Sequence, residues 1–150
     1  MAYTRLLYHV VLRTKHSRLA INEENERAFY TFVLGYMRNH DYTLVRIGGM
    51  PDHVHLLVGL PPTVGVATFV HDLKISTNVF FKQHNKEFPF FEGWTRSYAA
   101  FTCSAKDKAG VVEYIKTQKE HHSRTPLADE LRRLLAENGV EYNEKYLLDD

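Results

Sequence analysis

The sequence predicts an α+β fold of the ferredoxin-like kind, a split βαβ sheet built in the order β-α-β-β-α-β, with one further helix and a C-terminal helix. Three observations carry this expectation. Apolar periodicity alternates between strand-like and helix-like stretches in that order along the chain. Two β-rich runs flank Met50-Pro51-Asp52, which reads as a hairpin. The length of 150 residues, 44% of them hydrophobic and 25% charged, suits one folded domain with a sizeable core and excludes a disordered chain.

Each element has its own signal. Residues 3–13 are β-rich and apolar on both faces (Leu6, Leu7, Val10, Val11, Leu12), as expected of a central strand. Asn22 is placed to cap a helix with Glu23 and Glu24 in its first turn and Ala28, Phe29, Phe32, Val33, Tyr36 and Met37 on its apolar stripe. Strands follow over 42–49 and 53–60. Pro61-Pro62 breaks the chain, and a second helix is expected over 64–84. An aromatic loop over 85–97 leads to a fourth strand over 98–103. Ser104 with Asp107 is placed to cap a third helix continuing to about His122. Pro126 opens a last helix that ends near Gly139.

Composition excludes several classes. A lone cysteine, Cys103, rules out an internal disulfide and a cysteine-based zinc site, and its strand position suggests inert packing. No apolar run approaches a membrane span or a signal peptide, so the expectation is a cytoplasmic protein without a membrane partner. Gly48-Gly49 has no helix after it, which argues against a nucleotide loop. The net charge of +1 hides an asymmetry: residues 1–22 and 74–125 each carry +4, whereas 23–73 carry −3 and 126–150 carry −4. Two basic blocks on one surface permit nucleic-acid binding without requiring it.

Asp52-His53-Val54-His55-Leu56-Leu57-Val58 is the most informative stretch. Alternation puts His53, His55 and Leu57 on one face of a strand, so two imidazoles sit side by side on a rigid element and can grip one cation. An isolated His-x-His is more often a hydrogen-bonded pair in a sheet, but apolar neighbours on both sides imply burial. Tyr114 and Gln118, four apart on a helix, share one side; the first offers a phenol nucleophile, the second a carbonyl oxygen suited to a hard cation. Arg13, Lys15, Arg18, Lys74, Lys82, Lys86 and Arg96, with Tyr8, Trp94 and Phe101, could hold phosphates and stack bases, although most read equally well as solvated surface and core. His121 and His122 fit extra metal ligands, phosphate contacts or charges at a helix end.

In combination these residues resemble the HUH single-tyrosine transposases of small insertion sequences, including relatives associated with repetitive extragenic palindromes. The resemblance covers nearly the whole chain. Residues 8–15 resemble the family's opening strand, and Met50 to Val58 its His-hydrophobic-His strand. Leu73-Lys74 is similar to its second-helix motif, Trp94 with Tyr98 to Thr102 to its fourth-strand block, and Tyr114 to Gln118 with Glu120-His121-His122 to its catalytic helix.

The resemblance implies a catalytic domain over 1–125, with 126–150 as its helical extension. It implies that His53, His55 and Gln118 bind a divalent cation, Mg²⁺ or Mn²⁺. It further implies that Tyr114 attacks the phosphorus of single-stranded DNA at hairpin ends, leaving a 5′-phosphotyrosine link and a free 3′-OH. Arg13, Lys15, Arg18, Lys74, Lys82, Arg96, His121 and His122 are the implied DNA contacts. The implied assembly is a homodimer, with the tyrosine helix of several members serving the partner's His pair. Two alternatives stay open from sequence: a hairpin-binding module with vestigial active residues, and a metal phosphodiesterase that uses water.

Overall fold

The computed structural model describes residues 2–122 and 125–150. The core is a four-stranded antiparallel sheet of β1 (Leu7–Arg13), β2 (Thr43–Met50), β3 (His53–Gly59) and β4 (Ala99–Cys103), in the order β2-β3-β1-β4. That order and the helices α1 (Glu26–Asn39) and α2 (Val66–Gln83) give the expected split βαβ arrangement. β1 is central, as its two apolar faces require, and pairs antiparallel with β3 and β4. The β2-β3 hairpin closes where Met50 pairs with His53 across Pro51-Asp52.

Alternation along the strands divides the sheet's work. Val10, Leu12, Val54, Leu56 and Val58 face α1 and α2 and join the main core with Phe29, Val33, Met37, Phe69, Leu73 and Phe81. The opposite face carries His9, Val11, His53, His55 and Leu57. It is covered by α3 (Lys108–Lys116), α4 (Gln118–His122) and α5 (Leu127–Glu137). There, Val11 and Phe101 pack against Leu127, Leu131 and Leu134, and Leu7, Leu57 and Cys103 pack against Ile115. The histidines are therefore sandwiched between the sheet and the C-terminal helices.

Three local expectations are corrected. α1 begins at Glu26, because Asn22 caps the turn before it, its Oδ1 accepting from Asn25 N at 2.9 Å. The third helix is not continuous to His122. Thr117 separates α3 from α4, and its hydroxyl donates to the Glu113 carbonyl at 2.9 Å, the back-bonding that bends helices. Trp94 and Phe101 are not base-stacking platforms. Trp94 is buried in the main core, donating from its indole N–H to Thr77 Oγ1 at 2.9 Å, and Phe101 lies under α5. Elsewhere the signals hold. Ser104 Oγ accepts from Asp107 N at 3.2 Å before α3, and Gly139 ends α5 at φ +66°, the left-handed conformation a helix C-terminus favours. Among the described residues no helix is long and apolar enough to cross a membrane.

Gly48 has a steric role. A Cβ there would sit 2.7 Å from the Ile115 carbonyl oxygen of α3. The missing side chain lets the helix that carries Tyr114 lie directly on β2. Gly48→Ala is expected to destabilise the fold by about 1–3 kcal/mol in urea titration, because the obstructing atom is backbone and must shift.

Candidate active site

β3 presents both imidazoles to the covered face, and each is 0% exposed. Buried polar rings need partners, and each ring has two. His53 Nδ1 donates to Asp52 Oδ1 at 2.7 Å, and its Nε2 donates to Gln118 Oε1 at 3.1 Å. His55 Nε2 lies 2.9 Å from Glu130 Oε1, and its Nδ1 lies 2.8 Å from His9 Nε2 on β1. A carboxylate or ring behind each strand histidine fixes its orientation, as metal-binding histidines require.

Glu130, on α5, is the hub. Its side chain enters from the apolar face that holds Leu127, Leu131 and Leu134, and the residue is 1% exposed. Oε1 faces His55, His53 at 3.4 Å and His122 at 3.0 Å. Oε2 accepts a short hydrogen bond from the Tyr114 hydroxyl and a 3.0 Å bond from Gln118 Nε2. Arg133, one helical turn further along α5, donates from Nη2 to the Tyr114 oxygen at 2.8 Å. Among the described residues His122 Nε2 is a buried side-chain atom without a hydrogen bond, since its approach to Glu130 is off-axis. A buried ring nitrogen left over in this way fits a metal ligand.

Electrostatics follows from this crowding. Burial opposes charge on His53, but Asp52 and Glu130 outweigh it and push its pKa up to about 9. Burial pulls His55 down to about 4 and His9 down to about 3. With both of those rings neutral, His55 donates to Glu130 from Nε2 and accepts at Nδ1 from His9 Nε2. Burial raises the Glu130 carboxyl, but the imidazoles of His122, His53 and His55 outweigh it and hold it far below the ordinary range. Burial and the Glu130 carboxylate push the Tyr114 phenol above its ordinary value, while Arg133 opposes them.

His53, His55, His122 and Glu130 each offer a ligand atom, all within 4.8 Å of one another. Three imidazole nitrogens and one carboxylate oxygen, with the Gln118 amide oxygen beside them, suit a divalent cation. The sequence-predicted His53, His55, Tyr114 and Gln118 thus meet in one place, within one chain. His9, Asp52 and Glu130 were not anticipated. The signal for Glu130 was a carboxylate at the buried spacing of an otherwise leucine-lined helix.

The expected DNA contacts are scattered more widely. His122 sits in the metal-capable cluster, not on the outer surface, and exposed His121 stands over the Tyr114 ring. Arg13 is buried, bonded to Ser17 Oγ and the Asp149 carbonyl and 3.3 Å from Asp150. Its charge is enclosed by the C-terminal segment. Half-buried Lys74 donates to the Thr95 and Arg96 carbonyls. Lys15, Arg18, Lys82 and Arg96 are exposed.

These charges set a pH window for the metal-free chain. His53 has a folded pKa above its ordinary 6.5, so its contribution is complete below 6.5 and is lost as pH rises through about 9. Glu130 has a depressed pKa, so its contribution is present above 4.5 and is lost on acidification. His55 and His9 have folded values below 6.5, so keeping them neutral costs stability as pH falls below 6.5. Thermal melting in a chelator is therefore expected to peak near pH 6.5 and to fall on both sides; a flat profile from pH 6.5 to 9 would contradict the ion pairing of His53.

A model of the family described as IS200-like transposases matches residues 2–118. The IS200 transposase of Salmonella typhimurium is 29% identical over 131 residues, covering 80% of this chain and 82% of the relative. The ISDra2 transposase TnpA of Deinococcus radiodurans is 24% identical over 120 residues, covering 77% and 86%. Among solved structures, a proposed transposase of Deinococcus radiodurans superimposes with a TM-score of 0.61 at 28% identity, over 78% of this chain and 93% of that one. A REP-associated tyrosine transposase bound to a REP hairpin superimposes with a TM-score of 0.56 over 96% of this chain and 87% of its own; at 15% identity that likeness is one of fold. The matched stretch runs through the opening strand, both β3 histidines, Tyr114 and Gln118, and by it this chain belongs to the IS200-like transposase family.

Proposed function

We propose that the chain is a metal-dependent single-stranded DNA strand transferase that cleaves and rejoins DNA at hairpin ends through a 5′-phosphotyrosine on Tyr114. The observation that carries this reading is that the Tyr114 phenol and the β3 imidazoles share the Glu130 carboxylate, each facing a different oxygen. A potential nucleophile beside a metal-capable cluster is what transesterification needs. Family membership supports the reaction class. The hairpin held by the REP-associated neighbour supports the DNA form.

His53, His55 and Gln118 would hold the cation, with Glu130 Oε1 and His122 as further donors from the C-terminal helices. Bound there, Mg²⁺ or Mn²⁺ would polarise the scissile phosphate and offset the charge that builds on it. Asp52 keeps the His53 ring oriented through Nδ1, leaving Nε2 for ligation. His9 does the same for His55, whose Nδ1–H tautomer it can accept from. Tyr114 Oη bonds to phosphorus as the phosphorus–O3′ bond breaks, and the departing oxygen becomes the 3′-OH. Glu130 Oε2 orients the phenol hydroxyl; the phenol proton leaves to solvent in the open cavity that Tyr114 lines, and the departing O3′ takes one up from solvent. The phosphotyrosine conserves the diester energy, so rejoining is the same displacement run backwards.

Because His53, His55 and Tyr114 meet within one chain, the tyrosine serves its own chain's cluster in this reading, and a homodimer would place two such sites side by side. The remaining basic residues, Lys15, Arg18, Lys74, Lys82, Arg96 and His121, hold the DNA backbone in the same reading, while Arg13 braces the C-terminal segment. Residues 1–125 supply the strand histidines and the tyrosine, and 126–150 supply Glu130.

Three outcomes test the proposal. On a denaturing gel with labelled single-stranded hairpin DNA from beside the gene, Tyr114→Phe should lose the metal-dependent covalent band yet still bind the hairpin. Cleavage surviving in that variant would point to water as nucleophile instead. Mixing Tyr114→Phe with His55→Ala protein should restore no band if the tyrosine acts within its own chain. Mn²⁺ titration at pH 7 in buffers of different ionisation enthalpy should show about one proton released per ion, from His53, with affinity at least about 10-fold weaker in Glu130→Gln.

A further inference from the structure

We infer that Arg133 of α5 is a catalytic group that holds the non-bridging oxygens of the scissile phosphate beside Tyr114. The inference rests on Tyr114 being the nucleophile. The guanidinium makes two distinct contacts with that residue: Nη2 donates to the phenol oxygen at 2.8 Å, and the Arg133 Cζ lies 5.2 Å from the ring centroid. An attacking phenol brings phosphorus to roughly 3–3.5 Å from its oxygen. A guanidinium already on that oxygen then has its remaining N–H groups within reach of the phosphate's other oxygens.

The site is open to an incoming anion, and Arg133 is the one Arg or Lys among the described lining residues, which also include Asp107 and Glu137. Arg133 and Tyr114 line one side of an open cavity of about 410 Å³, with His9, Phe101, Thr102 and Asp107 among the other lining residues. Only one other contact commits the guanidinium among the bonds described, a 3.4 Å approach of Nη1 to Glu137 Oε1 one turn along the helix. Both partners of that pair are about half exposed, so a phosphate displaces the carboxylate at little cost. The Glu130 carboxylate, which also faces the phenol oxygen, would otherwise repel an incoming phosphate diester. A planar fork of N–H donors suits two phosphate oxygens in a way an ammonium does not. In the step itself Arg133 neither gains nor loses a proton: Oη–P forms, P–O3′ breaks, and the guanidinium compensates the charge that grows on the equatorial oxygens.

The test is single-turnover covalent capture of the labelled hairpin DNA with Mn²⁺ by the full chain. Wild type is compared with Arg133→Gln, Arg133→Lys and Tyr114→Phe, and thermal melting confirms that each variant folds. Arg133→Gln should slow adduct formation about 10²–10³-fold, the loss expected for one donor to a developing charge, and Arg133→Lys should recover part of it. Hairpin affinity should largely persist, because one phosphate contact among several is removed. On DNA with a neutral methylphosphonate at the scissile position the Gln penalty should shrink towards unity. A wild-type rate in Arg133→Gln, with no adduct from Tyr114→Phe, would overturn the phosphate clamp alone. An equal penalty on both DNAs would also overturn it and reduce Arg133 to a support for the phenol ring. Adduct from Tyr114→Phe, or none from wild type, would overturn the tyrosine reading and this inference with it.

Discussion

A carboxylate buried under a sheet is unstable unless every oxygen lone pair is met, and Glu130 meets that demand by gathering the whole site around itself. Its two oxygens face the imidazoles of His53, His55 and His122, the phenol of Tyr114 and the amide of Gln118. Breaking such a network by removing one partner costs about 3–5 kcal/mol, because a buried charge is left uncompensated. Docking of α5 and orientation of the two strand histidines are therefore one event. The same interaction also explains the unequal protonation of the rings. His53 lies between Asp52 and Glu130 and keeps its proton, whereas His55, backed by neutral His9, does not.

The sheet makes this concentration of polar groups affordable. Strand alternation sends Val54, Leu56 and Val58 into the main aromatic core and leaves the other face to the histidines. β3 is held by β1 on one side and β2 on the other, so the imidazoles stand on a strand hydrogen-bonded along both edges. Gly48 on β2 lets α3 approach to backbone contact. The break at Thr117 then re-aims the chain, so that Tyr114 from α3 and Gln118 from α4 reach the same carboxylate.

The C-terminal region contributes side chains to the candidate site. Along α5, Leu127, Leu131 and Leu134 seat the helix, Glu130 enters the histidine cluster, and Arg133 reaches the Tyr114 hydroxyl. The final residues clasp Arg13, the last residue of β1. Near-neutral net charge is thus compatible with a DNA-processing site, because much of the chain's acid is committed to internal partners.

The sequence by itself determined the strands, the hairpin, the two core helices and the His53/His55 pair, since all of these are written in local periodicity and turn chemistry. It also singled out Tyr114 and Gln118 through their spacing and family resemblance. It could not assign His9 and Glu130 to the site, because their partners lie 46 and 75 positions away and no local pattern encodes such a meeting; Asp52 adjoins His53 in the chain, but adjacency alone does not say that its carboxylate turns onto the ring. It misplaced Trp94 and Arg13 for a related reason: an aromatic in a loop or a cation at a strand end looks the same whether tertiary packing exposes or buries it. Only the folded chain decided those cases, because burial is a property of what packs on top, and here α5 and the terminal segment do the packing.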